Sequence, residues 1–178
     1  MDENEIRSKM RSFSQFRGVF ARNEFREALH KCREHDEEGG FIVNTDPDTK
    51  PGEHWLAVYY TKYNQFNFFD SYGLAPSTYG FDNGVFSQRN KRCVQSAVSD
   101  ACGQHCIYYL VNRFRENIDP YSAFPVSTPK ADLDSSVRSF VESLPQGSAG
   151  EVQKSLRHQR SGTLTHYSDY LRARGMIF

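Results

Sequence analysis

An α+β fold, with short strands around a helix buried at the centre, is what this 178-residue sequence predicts, and three stretches carry the expectation. HWLAVYY (54–60) is apolar on both faces, as a covered central strand must be. NFFD (67–70) follows it after the turn TKYNQ, at the spacing of a hairpin partner. CGQHCIYYLVNRF (102–114) is helical by length and apolar nearly all round in its first turns, which places it inside. The length and the 38% hydrophobic content support one core, so a single domain over residues 1–178 is expected.

The remaining elements follow in chain order. Asn23 is positioned to cap a helix through EFREALHKCREH (24–35), because Glu24 and Glu27 suit the positive N-terminal end and Phe25, Ala28, Leu29 and Cys32 recur at helical spacing. Gly39 and Gly40 are expected to stop it. FIVNT (41–45) reads as a strand and DPDTKPGE (46–53) as a turn leading into HWLAVYY. From Leu74 to Arg92 the chain is rich in Gly, Ser, Asn and Tyr without a sustained period, so a loop with one short helix is expected. Val137, Phe140, Val141 and Leu144 trace an amphipathic helix, PQGSAG (145–150) breaks it, and Leu164 to Arg174 supplies a last one. Ten Tyr and fourteen Phe suffice to fill a core and still line a groove.

Charge excludes some partners. Lys and Arg balance Asp and Glu at 22 each, so no whole-molecule field draws the protein to nucleic acid or to an anionic membrane. Basic runs at Arg89 to Arg92 (RNKR) and Arg157 to Arg160 (RHQR) are expected to be solvated faces, with weak or no DNA binding. No apolar stretch approaches the roughly 18 residues of a membrane span, and MDENEIRSKM lacks the apolar segment of a signal peptide. An intracellular, reducing compartment is therefore expected, with no membrane partner. There, four unevenly spaced cysteines read as thiols or metal ligands rather than as a disulfide framework.

Cys102 is the candidate nucleophile. At the first turn of a helix, free backbone N–H groups and the helix dipole favour an anion, lower the thiol pKa and offer donors to an oxyanion. Gly103 beside it removes side-chain bulk and lets a substrate backbone approach. His54 opens one strand of the predicted hairpin and Asp70 ends the other, so imidazole and carboxylate emerge at the same end of the sheet as base and orienter. Gln95, seven residues before Cys102, is placed for its amide to complete an oxyanion hole with the Cys102 backbone.

The order of these residues carries a resemblance. HW, then a strand ending in FDSYG, then Gln seven residues before Ala-Cys-Gly, resembles the adenain-type cysteine proteases of adenoviruses and their relatives in adintoviruses and Maverick/Polinton elements. It is more remotely similar to the SUMO-deconjugating proteases, which share the His, Asp, Gln, Cys order. FRGVFARNEF near the N-terminus and SLRHQ…LTHYSDYLRAR near the C-terminus extend the similarity to nearly the whole chain. The resemblance implies a mixed central sheet packed on the helix that carries the cysteine, a papain-like superfamily architecture in rearranged order. It implies Cys102 as nucleophile, His54 as general base and then acid, Asp70 as orienter, Gln95 as oxyanion donor and Trp55 beside a substrate channel that admits glycine next to the scissile bond. The implied activity is a viral-type thiol endopeptidase, cleaving capsid or core precursors after glycine-containing motifs during virion maturation, in the host nucleus or the virion.

The chain departs from that family at two points. The family uses DNA and a disulfide-linked peptide as activators, whereas this chain is neutral and its Cys93 stands two residues before Gln95, away from the family position. Neither activator is expected to be required, no cofactor is expected, and the protein is expected to be a monomer. Two other readings compete. A ubiquitin-like-protein deconjugating protease would share the site, but the extended insertions common in such enzymes are not evident. A zinc-binding structural module would draw on Cys93, Cys102, His105 and Cys106, but Cys-x8-Cys-x2-His-Cys is not a paired-knuckle spacing and His105 points to another helix face than Cys106. No metal ligand set is therefore expected.

Overall fold

A computed structural model of the chain describes residues 1–35 and 37–145. It is α+β: a five-stranded mixed sheet packed against helices. The strands are β1 (Phe16–Phe20), β2 (Gly39–Asn44), β3 (Trp55–Tyr60), β4 (Phe66–Phe69) and β5 (Phe86–Arg89), side by side in sequence order. β2, β3 and β4 form an antiparallel meander, with β1 and β5 added in parallel at its two edges. The helices are α1 (Glu3–Met10), α2 (Phe25–Arg33), α3 (Cys102–Glu116) and α4 (Lys130–Glu142).

Both faces of the sheet are covered, which explains why HWLAVYY shows no polar alternation. Ile42, Ala57, Tyr59 and Phe69 face a core built with Cys106, Ile107, Leu110 and Val111 of α3, Ile6 and Met10 of α1, and Leu133, Val137 and Phe140 of α4. Phe41, Val43, Leu56, Val58, Phe66 and Phe68 face the other way, toward Phe25, Ala28, Leu29 and Cys32 of α2. Burial of each such side chain contributes on the order of 1.5–3 kcal/mol, so the central strands are held from two sides at once.

Three expectations need correction. Asn23 does not cap α2: it lies in a short 3-10 turn (Arg22–Glu24), and its Oδ1 accepts the Asp48 N–H at 3.0 Å, tying this turn to the loop before β3. The α2 cap position is Glu24, whose carboxylate accepts the Ala21 N–H at 2.7 Å. Gly39 and Gly40 begin β2 rather than stopping a helix that has already ended at Arg33. A Cβ on Gly40 would stand 2.6 Å from Leu110 Cδ2 and 2.8 Å from Val58 O, so glycine there lets α3 lie close against the sheet. The segment 74–92 is not one loop with one helix: two 3-10 turns (Pro76–Tyr79 and Asn83–Val85) lead into β5, which pairs with β4.

α1 and β1 are additional to the sequence reading. An Asp2–Glu5 capping box starts α1, and β1 is broken by Gly18 at φ +128°, where the register with β2 slips. The buried central helix and the hairpin are present, and the amphipathic helix traced by Val137, Phe140 and Val141 runs over Lys130–Glu142, ending before Leu144. The expected break beyond Pro145, the helix at Leu164 to Arg174 and the basic run at Arg157 to Arg160 lie outside the described residues. Among the described residues, no helix is long and apolar enough to cross a membrane.

Candidate active site

The hairpin positions the first two groups. β3 and β4 pair with Ala57 opposite Phe69, so the end of β4 lies beside the start of β3. His54, just before β3, and Asp70, just after β4, meet there: His54 Nε2 stands 2.7 Å from Asp70 Oδ1. Cys102, the first residue of α3, comes to the same place because α3 crosses β3 on the core side. His54, Cys102, Gln95, Trp55, Tyr72 and Tyr79 all line one cleft of about 1580 Å³.

Asp70 is wholly enclosed and heavily used. Oδ1 accepts from His54 and, at 3.1 Å, from the Tyr72 N–H; Oδ2 accepts the Leu74 N–H at 2.8 Å and the Tyr79 hydroxyl at 3.0 Å. Burial alone would raise this carboxyl, but the His54 and Tyr72 hydrogen bonds outweigh it and hold Asp70 below the usual carboxylate range. Asn90 steadies the backbone: Oδ1 accepts the Asp70 N–H at 2.9 Å and Nδ2 donates to the Asp70 carbonyl at 2.6 Å.

With Nε2 committed to Asp70, His54 has Nδ1 left for the sulfur. Its ring stacks on Tyr72, centroids 4.9 Å apart at 26°, with Tyr79 at 5.7 Å, so both flanks are restrained. Burial disfavours the imidazolium, yet hydrogen bonds to Asp70 and to Cys102 raise His54 to about 9. Cys102 shifts the opposite way. Burial pushes the thiol up, and the His54 hydrogen bond and positive charge, with the Trp55 and Gly103 backbone N–H groups, pull it below the ordinary thiol range. The two shifts describe one coupled pair, whose charged form is thiolate facing imidazolium.

Gln95 is 1% exposed and borders the same cleft. Its Oε1 accepts the Ser71 hydroxyl at 2.6 Å, and its Nε2 donates to the Ser99 carbonyl at 2.6 Å. The second amide hydrogen is directed at the Tyr72 hydroxyl over 3.4 Å, a long bond that a stronger acceptor in the cleft can replace. Trp55 and Gly103 both touch Met1. The Trp55 indole N–H donates to the Met1 carbonyl at 3.0 Å, and a Cβ on Gly103 would come within 3.2 Å of Met1 Cβ and Sδ. The space that the sequence assigned to substrate beside Gly103 is thus bordered by the chain's own first residue.

None of the other thiols borders the cleft. Cys32 and Cys106 are fully buried and burial raises both, Cys32 to about 12. Cys93 is half-buried, with its thiol donating to the Gln95 carbonyl at 3.4 Å. His105 is buried with its ring nitrogens on Tyr121 and Asp134, and among the described residues no group of three or more His, Cys, Asp or Glu is placed to hold a metal ion. Sequence reasoning missed Tyr72, Tyr79, Asn90 and Ser71. Ser71 and Tyr72 follow Asp70 directly, a signal that was available; Tyr79 and Asn90 lie in the irregular segment and only the fold brings them in. In comparisons with known proteins, no protein-family model and no curated protein matches the chain.

Proposed function

We propose that this chain is a cysteine endopeptidase of the papain-like superfamily in rearranged order, of the adenain type its motifs resemble. One observation carries the reading: an imidazole held by a buried carboxylate at 2.7 Å shares one cleft with the thiol at the first turn of a core helix. Structural His–Asp pairs are common, but a third partner that is a depressed thiol in a cleft is the arrangement of nucleophilic catalysis.

The chemistry follows from the geometry. The Cys102 thiolate attacks the scissile carbonyl carbon, and the carbonyl electron pair moves onto oxygen, where the Cys102 backbone N–H and the Gln95 amide are positioned to receive it. Collapse of the tetrahedral adduct expels the amine, which takes its proton from the His54 imidazolium and leaves an acyl group on sulfur. His54, neutral again, removes a proton from water; the hydroxide adds to the thioester, and the acid departs as the thiolate is restored. Asp70 exchanges no proton and keeps the imidazole tautomer fixed throughout.

The substrates of this reading are viral-type precursor proteins cut beside glycine, with no required cofactor. Incubating the protein with a glycine-centred peptide library tests it. Cleavage after glycine-containing motifs that disappears in Cys102→Ala supports the reading; release of ubiquitin-like conjugates with no peptide cleavage, or no hydrolysis at all, contradicts it.

A further inference from the structure

The core holds a second His–carboxylate pair, and it lies outside the cleft. His105 is fully buried, its Nε2 2.8 Å from Asp134 Oδ1 and its Nδ1 on the Tyr121 hydroxyl. The proton inventory fixes the direction of the chain. The Tyr121 hydroxyl donates to Nδ1, the Nε2–H donates to Asp134, and a neutral ring serves both bonds. Burial keeps His105 below its ordinary value, which suits that neutral form, and hydrogen bonds hold Asp134 low against the opposing effect of its own burial.

The carboxylate reaches beyond the histidine. Asp134 Oδ2 accepts the Ser96 N–H at 3.2 Å, and Arg138, on the same helix, donates to Ser99 Oγ at 3.5 Å. Ser96 and Ser99 close one turn, through a Ser99 N–H bond to the Ser96 carbonyl at 3.1 Å. That turn connects the two proposed oxyanion donors: the Ser99 carbonyl holds Gln95 Nε2 at 2.6 Å, and Ser99 Oγ accepts the Ala101 N–H at 3.2 Å, one residue before Cys102. Arg138, one helical turn after Asp134 on α4, bonds Asp100 of the same segment. Val98, at its tip, is 98% exposed, so the segment is held from the Asp134 side and not by burial of its own.

We propose that His105, Tyr121 and Asp134 form a positioning relay for the oxyanion hole: from the core they fix the Ser96–Ser99 turn, and through it the aim of the Gln95 amide and the Cys102 N–H. None of the three enters the cleft, so they are positioning residues acting through Gln95 and the helix start. The inference rests on the protease reading above.

Two reactions of Cys102 separate the roles. Alkylation by iodoacetamide forms a carbon–sulfur bond as iodide leaves; it needs the thiolate and no oxyanion donor. Cleavage of the best glycine peptide needs both. Asp134→Ala is expected to lower kcat on that peptide about tenfold or more, short of the roughly 100- to 1000-fold that outright loss of an oxyanion donor costs, with KM little changed and the Cys102 alkylation rate within about twofold of wild type. Asp134→Asn, which can still accept from Ser96 once the His105 tautomer reverses, is expected to recover most of the turnover. If Asp134→Ala does not fold, Ser99→Ala, a half-buried change that removes the turn's bond to the Ala101 N–H at the helix start, is expected to show the same split on a smaller scale, about threefold in kcat. Unchanged turnover in the folded variant, or alkylation falling in parallel with turnover, overturns the relay. A wild-type chain whose Cys102 is neither alkylated selectively nor able to cleave any glycine peptide overturns the protease reading instead, and the relay with it.

Discussion

His54 gives Nε2 to Asp70 at 2.7 Å and thereby reserves Nδ1 for Cys102. Asp70→Asn tests that division. However the new amide is turned, its NH2 faces one pair of donors, either His54 and the Tyr72 N–H or the Leu74 N–H and the Tyr79 hydroxyl. Stability is expected to fall by about 1–3 kcal/mol in a thermal melt, and turnover by roughly 100-fold or more, though by less than in Cys102→Ala. Wild-type turnover in a folded Asp70→Asn would mean that something other than Asp70 orients the imidazole.

The opposed shifts of the pair predict a pH window. Turnover should rise as Cys102 ionises, below the ordinary thiol range, and fall as His54 loses its proton near 9. The signs for stability follow separately. The raised His54 contributes stability that is fully present below its ordinary 6.5 and lost as pH rises through about 9. The depressed Asp70 contributes stability present above its ordinary 3.8 and lost as pH falls through its lower folded value. Melting curves across pH check both: the difference between wild type and Asp70→Asn should shrink on acidification below 3.8 and remain through neutral pH.

Cys106, one turn further along α3 and fully buried, is expected to matter for packing alone. Cys106→Ser places a hydroxyl where the core surrounds it with apolar groups, at about 1–3 kcal/mol if no partner is found. The rate of Cys102 alkylation should be unchanged. A parallel fall in reactivity would give Cys106 a share in the chemistry.

Duplex DNA is expected to change peptide cleavage less than twofold at low salt. The chain is neutral, and in the Arg89–Arg92 run the Arg92 guanidinium is spent on the carbonyls of Tyr121, Phe124 and Pro125. A large gain with DNA that disappears at high salt, as counterion release requires, would contradict this.

The hairpin and the buried helix were legible because their signals are local: a run of apolar residues bounded by turns, and a long apolar segment opening with Ala-Cys-Gly. His54, Asp70 and Cys102 could be placed together from those two elements. β5 was not legible. FSQR carries one partly buried residue and three exposed ones, and it is a strand because β4 offers it an edge. β1 was hidden by Gly18, whose positive φ interrupts the alternation. Gly40 misled for the opposite reason: its lack of a side chain serves the approach of Leu110, a contact 70 residues away that no local pattern announces. The Asn23 cap failed because Asp48, distant in sequence, claims the same oxygen.

Competitive alkylation of the four cysteines reads out whether Cys102 is a thiolate poised by His54. Native protein is treated briefly with iodoacetamide at mildly acidic pH, in parallel with His54→Ala, and the adducts are mapped by mass spectrometry alongside residual peptide cleavage. Cys102 is expected to be modified first, with cleavage lost in proportion, Cys32 and Cys106 unlabelled, and the labelling of Cys102 slowed in His54→Ala. Labelling of Cys93 with Cys102 untouched while cleavage is lost, or labelling of Cys102 at the same rate with and without His54, would contradict it.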